Sequence, residues 1–342
     1  MSSNTPKIAD LARMLNLSKP AVAQALSENK GNTNTRISNA TRQRVIEAAA
    51  AMNYRVNASA RAMRQKKFNN IGFFVVRKDP NDYTFADIIS QGIATAAEKH
   101  EQNVFLVRLP ETGSLTSAIP KSLREACLDG LLIQEGASLT ADFQRAIDSA
   151  DFPVVYLNEK RPTNAIYVDD IYAGRLMTEH LIEKGYRKIT MLSPSLTINH
   201  YSSADRAQGY REAMQAAGLH PVLKMFPSAT WKVETAAWLQ SGDRPEVVLC
   251  VSDQVAVHLQ GILYRLKIRI PEEIGITGYN DELFAQYSQV PLTTMKVPFY
   301  EMALSAVDML MTLIKNPGTR FVESLIVRPA LSIRTSVPGP SC

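Results

Sequence analysis

The sequence predicts a small all-α head followed by an α/β body that contains two parallel sheets. Three observations support this fold class. Apolar residues recur at helical spacing between Lys7 and Met52. From Ile71 onward, short apolar segments typical of buried strands alternate with helical segments. The charge is also divided, because residues 1–67 hold 12 basic and 3 acidic side chains (+9), which leaves −4 for the rest of this +5 chain.

The composition sets limits on the class of protein. The 342 residues are 45% hydrophobic and 21% charged, which is ordinary globular composition and enough for more than one domain. We find no apolar stretch long enough to span a bilayer and no secretory signal. Cys127, Cys250 and Cys342 are widely spaced, so we expect neither a disulfide framework nor a metal site. The prediction is a cytoplasmic protein without a cofactor and without membrane partners.

The segment "KIADLARML" predicts the first helix of the head. Four residues at helical spacing form its apolar face: Ile8, Leu11, Ala12 and Leu15. Asn16 and Leu17 then form a tight turn, and the small Ala12 allows a second helix to cross closely. This second helix begins after Ser18, whose hydroxyl can accept a free N–H of the first turn.

The second helix has the features of a recognition helix. Pro20 lies in its first turn, where a missing N–H costs nothing, and Val22 and Leu26 face the first helix. The pair is therefore a helix-turn-helix, whose second helix enters the major groove of DNA. An ordinary packed helical hairpin is the alternative for such a pair. The candidate DNA-binding residues at the start of this helix are Ser18, Lys19, Pro20, Ala21 and Gln24.

A third helix should begin after Ser38, within "NATRQRVIEAAAAMNY". Its predicted buried stripe consists of Val45, Ile46, Ala49 and Met52. Three helices in this order, strongly basic and near the N-terminus, favour DNA as the partner.

Four segments resemble the lactose/galactose repressor family of bacterial transcription regulators in order and spacing. They are "IADLARMLNLSKPAVAQAL", "RISNATRQRVIEAA", "MNYRVNASARAMR" and "NNIGFFV". The resemblance extends over nearly the whole chain. It implies that the third segment is a hinge helix, Asn57 to Arg64, which folds when two protomers bind an operator. By this resemblance Asn57, Ala60 and Met63 bind DNA, with Met63 as an apolar wedge in the minor groove. The alternative is that Met63 packs within a helix.

Two departures from the family pattern concern the operator sequence. Ala21-Val22-Ala23 stands where many relatives carry Thr-Val-Ser, and Gln24 stands where many carry Arg. Gln prefers adenine edges and Arg prefers guanine. In addition, the loop "SENKGNTNT" is longer than the usual turn of the family, so we expect an operator different from the commonest ones.

Eight apolar segments of the body predict strands that divide into two sets of four. The first set is "IGFFVV", "NVFLVRL", "DGLLIQ" and "PVVYLN"; the second is "AIYVDD", "KITMLS", "EVVLCVSD" and "IGITGYN". Two doubly wound parallel sheets should leave a ligand cleft at their strand C-termini. The body resembles the periplasmic-binding-protein fold that forms the core of the family.

The predicted domains follow from this organisation. A helix-turn-helix domain occupies residues 1–56, and a hinge helix with its linker occupies residues 57–67. An effector-binding and dimerisation core occupies residues 68–342. Its first subdomain spans about residues 68–162 plus 292–325, and its second spans about residues 163–291 plus 326–342.

Candidate effector-binding residues follow the predicted strands. The resemblance assigns effector binding to Arg206 of "RAQGY" and Asp253 of "SDQVA". These side chains suit a polyhydroxylated ligand, because a guanidinium donates a forked pair of hydrogen bonds and a carboxylate accepts hydroxyls. Four further candidates lie near these strand ends: Phe85, His200, Ser202 and Trp231. Phe85 as helix core, Trp231 as a surface cover and His200 as a lone loop histidine remain alternatives.

Asp169 and Asp170, in "YVDD", form a tempting carboxylate pair. Adjacent residues at a strand end point in opposite directions, and in the family this segment opens a crossing connection, so we interpret the pair as structural.

The predicted function is transcriptional regulation, with repression expected. A homodimer would bind near-palindromic double-stranded operator DNA in the nucleoid, and a small effector, a sugar or sugar derivative, would change that affinity allosterically. A purine- or nucleoside-responsive regulator of the same fold and a solute-binding module of a transport system remain alternatives. A sugar-modifying enzyme is disfavoured, because the sequence lacks phosphate-loop, dinucleotide-binding, metalloprotease and nucleophile-elbow motifs.

Overall fold

The structure is a computed structural model in which the chain divides into two compact units, residues 1–68 and 69–342. It describes residues 6–26, 37–56, 62, 67–77, 86–110, 121–125, 127–134, 141–194, 200–227 and 229–338. The hinge candidates Asn57, Ala60 and Met63 lie outside the described residues, as does Phe85.

The described residues of the head form three helices: α1 Ile8–Leu15, α2 Lys19–Ala25 and α3 Asn39–Ala51. Both predicted serine caps are confirmed. Ser18 Oγ accepts a hydrogen bond from the Ala21 N–H at 3.2 Å, and Ser38 Oγ accepts one from the Thr41 N–H at 3.1 Å. The tight turn after α1 is confirmed as well, because Asn16 adopts a left-handed conformation with φ 53°.

The core of the head differs from the predicted stripe at one position. Leu11, Val22 and Val45 are fully buried where the three helices meet. Ile46, which we predicted to be buried, is 45% exposed, and Ala48 faces the core instead. The reason is the helical period, since the residue after Val45 is rotated by about 100° around the axis, whereas residues three and four positions later return to the same face.

The first sheet of the body has six described strands in the order β11-β5-β4-β3-β1-β2, all parallel. These strands are β1 Asn70–Arg77, β2 Asn103–Pro110, β3 Gly130–Gln134, β4 Val154–Leu157, β5 Ala165–Val168 and β11 Leu325–Val327. In the part of the chain that the structure describes, four helices accompany this sheet: α4 Ala86–Lys99, α5 Lys121–Arg124, α6 Ala141–Asp148 and α12 Phe299–Lys315.

The second sheet has four described parallel strands in the order β7-β6-β8-β9. They are β6 Ile189–Pro194, β7 Val222–Phe226, β8 Val247–Cys250 and β9 Gly275–Thr277. The helices of this subdomain are α7 Asp170–Glu183, α8 Tyr201–Ala216, α9 Trp231–Gln240, α10 Asp253–Arg265 and α11 Leu283–Tyr287. The expected architecture of two parallel-sheet subdomains is therefore confirmed.

One strand belongs to a different sheet from the one predicted. The segment "AIYVDD" was assigned to the second set, but β5 pairs with β4 on one side and β11 on the other, within the first sheet. The chain therefore passes to the second subdomain after Val168. It returns through β10, Thr294–Lys296, and crosses again through β12, Ala330–Ser332, which pairs with β10 in antiparallel register. None of the helices in the described ranges combines the length and apolarity that a bilayer crossing requires.

The contrast between Val45 and Ile46 generates a stability prediction for the head. Val45→Ala should destabilise the head by roughly 2 kcal/mol, because two buried methyl groups are lost and a cavity remains. Ile46→Ala is the matched control and should cost less than about 0.5 kcal/mol. Hydrogen exchange of the α1–α3 amides in the full-length protein measures both values. Equal effects of the two substitutions would contradict the assigned core.

Candidate functional site

The start of α2 presents the predicted DNA-contacting residues on the surface of the head. Ser18, Lys19 and Pro20 are exposed, and Ala21 and Gln24 are partly buried. Val22 and Ala25 of the same helix point into the core of the head, which turns the opposite face of α2 outward. This geometry suits a helix whose first turns reach into a groove.

In the body, Arg206 lies at the centre of a buried polar network. Its Nε donates a 2.8 Å hydrogen bond to Asp170 Oδ1, and its Nη1 donates to the carbonyl oxygen of Val251. Its guanidinium carbon lies over the Tyr279 ring at 3.4 Å from the ring centroid. The Tyr279 hydroxyl donates to the same Asp170 oxygen at 2.6 Å. Arg206 thus joins the ends of β5, β8 and β9 at the cleft edge of the sheets.

The ionisation of this network follows from burial and pairing. Burial opposes the charge of Arg206, but the adjacent Asp170 carboxylate more than offsets it and raises the arginine pKa. Burial, together with the charge of Asp170, holds the pKa of Tyr279 well above its usual value. Tyr279 therefore stays a neutral hydroxyl donor. The second carboxylate oxygen of Asp170 is enclosed and has no hydrogen-bond donor within the described residues.

Gly209, the glycine of the segment "RAQGY", has a packing role. A Cβ atom on Gly209 would lie 2.0 Å from the carbonyl oxygen of Ile171, so only glycine allows α7 and α8 to cross at this distance. The crossing brings Arg206 of α8 against Asp170 at the start of α7. The close packing of the two helices therefore sets the position of the ion pair.

His200 and Ser202 lie where the two subdomains meet. His200 Nε2 is 2.8 Å from the Asn158 carbonyl oxygen, which can only accept, so this nitrogen carries the proton. Nδ1 of the ring then accepts from Ser202, whose Oγ lies 2.7 Å away. Tyr201 donates to Asn158 Oδ1 at 3.2 Å. Asn158 follows β4 of the first subdomain, so the start of α8 bonds directly to the opposite wall.

Trp231 is a core residue in this structure. It begins α9, is 5% exposed and packs edge-on against the His258 ring at a centroid distance of 5.9 Å. Its ring is therefore covered by protein rather than open to a ligand.

The structure gives the Asp253 carboxylate partners other than those predicted. Asp253 is fully buried at the start of α10. Its Oδ1 accepts a hydrogen bond from Thr294 Oγ1 at 2.6 Å, and its Oδ2 accepts from the Glu282 N–H at 2.8 Å. Burial raises the pKa of Asp253 to about 6, while these donors act in the opposite direction. Both oxygens thus bond to the protein, whereas the sequence analysis assigned them to ligand hydroxyls.

A cavity of about 180 Å³ opens between the subdomains on the other side of this turn. Its walls come from α4 and α12 of the first subdomain, the turn after β9, and the crossing segment at β10. The lining residues are Ile88, Asn280, Asp281, Glu282, Lys296, Val297, Pro298, Phe299, Tyr300 and Glu301. The described effector candidates His200, Ser202, Arg206, Trp231 and Asp253 do not line it.

Asn280 and Glu282 are candidate site residues that the sequence analysis did not select. Asn280 ends the predicted strand segment "IGITGYN" and Glu282 follows it. The position of polar residues at the end of a parallel strand was the signal that could have identified them. Asn280 adjoins Tyr279, so the Arg206 network and the cavity are connected through consecutive residues. Among the described residues no group of three His, Cys, Asp or Glu side chains is placed to hold a metal ion.

Comparisons with known proteins agree with this architecture. The periplasmic binding protein-like domain matches residues 178–337. The ribose operon repressor of Haemophilus influenzae is 27% identical over 96% of this chain and 97% of its own length. The HTH-type transcriptional repressor PurR of Vibrio atlanticus is 26% identical over 90% of this chain and 92% of its own length. The lac repressor dimer bound to operator and the anti-inducer ONPF superposes with a TM-score of 0.79 at 21% identity, covering 97% of this chain and 99% of that chain.

A basic three-helix head and a two-subdomain body of this kind define a DNA-binding transcriptional regulator controlled by a small effector. Over nearly its whole length the chain is similar to repressors of the lactose/galactose repressor family, whose members act as dimers on operator DNA. Its relatives are transcriptional regulators and not enzymes.

The buried Arg206–Asp170 pair generates a second prediction. Asp170→Asn should lower the free energy of unfolding of the body by about 3–5 kcal/mol, because Arg206 would keep its charge in a buried site without a counter-ion. The control is Arg175→Ala, which breaks the exposed 2.6 Å pair with Glu212 and should leave the urea midpoint nearly unchanged. Tryptophan fluorescence during urea unfolding measures the midpoints of both variants. A midpoint for Asp170→Asn equal to that of the control would show that the pair does not support the fold.

Proposed function

We propose that this protein is a repressor whose effector is a small neutral sugar bound between the two subdomains of the body. The two heads of a homodimer, residues 1–56 of each protomer, would bind a near-palindromic operator in the bacterial nucleoid. Lys19, Pro20 and Gln24 would contact the base edges. Hinge helices within residues 57–67 would add further DNA contacts through Asn57, Ala60 and Met63. The effector would change operator affinity by changing how the subdomains close.

The observation that carries this proposal is the composition of the cavity walls. Ile88 and Tyr300 belong to the first subdomain, Asn280 follows a strand of the second, and Lys296 lies on the crossing segment. A ligand in contact with all of them bridges the cleft. Contacts with both subdomains give a ligand different affinities for the open and closed states, and this difference is what shifts the equilibrium.

The size and polarity of the region support a sugar. Pockets for drug-sized ligands span roughly 300–1,000 Å³, so a cavity of about 180 Å³ suits a molecule as small as a monosaccharide. The lining residues include Asn280, Asp281 and Glu282, whose side chains carry amide and carboxylate oxygens. Acceptors of this kind favour a ligand rich in hydroxyl groups.

A purine effector is the second candidate, since one relative is the repressor PurR. A purine ring needs an open aromatic or guanidinium face on which to stack. In the described part of the cleft, Arg206 covers the Tyr279 ring and Trp231 is buried. Tyr300, however, lines the cavity, so stacking does not separate the two candidates, and the ribose operon repressor among the relatives is what favours the sugar.

The individual effector contacts are also proposals. Asn280 would accept a hydrogen bond from the effector through its amide oxygen, because its NH₂ group donates to Glu282 Oε1 at 3.2 Å. Arg206 would contribute the edge of its guanidinium that faces neither Asp170 nor Val251. His200 and Ser202 would act through the bonds of α8 to Asn158, which hold one arrangement of the subdomains. Phe85 stays a predicted aromatic contact.

A ligand screen tests the effector proposal. D-ribose and other monosaccharides should raise the unfolding temperature of the full-length protein in a concentration-dependent way, and free purine bases should not. Asn280→Ala should weaken the response at least about tenfold, or about 1.4 kcal/mol. The exposed Asn316→Ala, whose amide bonds its own helix, is the matched control and should respond as wild type does. A shift produced by purines alone would select the purine alternative.

Base reading by α2 gives a further prediction. Gln24→Ala should cost about 1–3 kcal/mol on the specific operator and relax preference at one base pair per half-site. Lys19→Ala should weaken specific and random DNA alike and reduce the salt dependence of binding, because one fewer phosphate is neutralised. Fluorescence anisotropy across a salt series separates the two effects. Equal weakening of specific and random DNA by Gln24→Ala would assign Gln24 to the DNA backbone.

A further inference from the structure

The turn that follows β9, Gly278 to Glu282, has a strained backbone. Asn280 has φ 110° and Asp281 has φ 59°, two consecutive non-glycine residues with positive φ. Such conformations cost free energy and persist only where surrounding contacts impose them. Because Asn280 to Glu282 also line the cavity, the contacts that impose this shape control the geometry of the cavity wall.

Asp253 supplies the main contacts that hold the turn. Its Oδ2 accepts from the Glu282 N–H at the end of the turn, and its own N–H donates to the Tyr279 carbonyl oxygen at 2.9 Å. A Cβ atom on Gly278 would lie only 1.9 Å from Asp253 Oδ1, so the carboxylate fills the space beneath the start of the turn. The aspartate is therefore enclosed by the turn that it supports.

The same carboxylate connects the turn to the crossing segments. Asp253 Oδ1 accepts from Thr294 on β10, which carries the chain back toward the first subdomain. A second tie comes from Arg334, which follows β12 and whose Nη2 lies 2.6 Å from Asp281 Oδ1. The turn is thus hydrogen-bonded to two of the segments that join the subdomains. A ligand that displaces the turn would therefore also displace these two segments.

We propose that Asp253 is a positioning residue that shapes the strained turn and presents Asn280 to the effector, and that it is not itself an effector ligand. This inference rests on the proposed function for its account of effector binding, but its statement about the turn does not. The buried carboxylate is costly for the fold, as its pKa of about 6 reflects, and the donors from Thr294 and Glu282 offset part of that cost.

The positioning role and a direct ligand role predict different behaviour for Asp253→Asn. An amide can keep both contacts, because its oxygen can accept from the Glu282 N–H and its NH₂ group can donate to the Thr294 hydroxyl oxygen. A positioning residue is therefore rescued by asparagine. A charged ligand acceptor is not rescued, because asparagine removes the charge as completely as alanine does.

The experiment compares Asp253→Asn, Asp253→Ala and Thr294→Val in the full-length protein. Hydrogen exchange of the Glu282 amide is measured without ligand, and affinity is measured with D-ribose as the probe. We expect Asp253→Asn to stay within about threefold of wild type in both measurements. Asp253→Ala should exchange the Glu282 amide more than about tenfold faster and lose more than about tenfold in ribose affinity. Thr294→Val should show smaller changes in the same direction.

Each outcome decides the proposal. An unchanged rate of Glu282 exchange in Asp253→Ala overturns it, and so does an Asp253→Asn variant that loses as much ribose affinity as Asp253→Ala. If wild type does not bind ribose, the proposed effector is wrong, and the exchange measurement still decides the positioning role. If Asp253→Ala does not fold, Thr294→Val decides, and wild-type exchange in that variant overturns the proposal.

Discussion

The buried ion pair between Arg206 and Asp170 is the interaction on which the rest of the cleft depends. A guanidinium and a carboxylate taken out of water cost several kcal/mol each, and they persist together only with good geometry and additional hydrogen bonds. Here the additional bonds come from the Tyr279 hydroxyl and the Val251 carbonyl, which lie at the ends of β9 and β8. The pair therefore fixes three strand ends relative to one another, and the close crossing of α7 and α8 at Gly209 is the packing that makes it possible.

Next to this rigid network the body has a second, strained element that serves another purpose. The turn after β9 includes Tyr279, which contacts both members of the ion pair, and continues into Asn280 and Asp281, whose backbones have positive φ. Asp253 and Arg334 provide that support from α10 and from the segment after β12. One end of the turn thus belongs to the rigid second subdomain and the other end to the crossing segments, which is the arrangement expected of an element that transmits ligand binding to domain closure.

The sequence predicted local structure well wherever one residue type has one physical role. Ser18 and Ser38 were identified as helix caps because their hydroxyls satisfy free N–H groups, and the strand segments were identified by unbroken apolar runs. The sequence-based prediction failed where a structure depends on residues far away in the chain. The sheet to which β5 belongs is decided by its pairing with β11, about 160 residues later, and β10 and β12 have three residues each, too few for any periodicity. Ile46 was misplaced because neighbouring apolar residues on a helix were assigned to one face.

The candidate site shows the same limit more sharply. A motif identifies Arg206 and Asp253 as important but cannot say whether a carboxylate faces a ligand or a backbone N–H, because that depends on Glu282 and Thr294, which lie 29 and 41 residues away. The sequence analysis did not select Asn280, because its position at the cavity depends on the contacts that Asp253 and Arg334 make with the rest of the turn. Side chains that act by shaping a turn and side chains that touch the effector can therefore share a motif. The structure distinguishes the two, because Asn280 lines the cavity whereas both carboxylate oxygens of Asp253 accept hydrogen bonds from the folded chain.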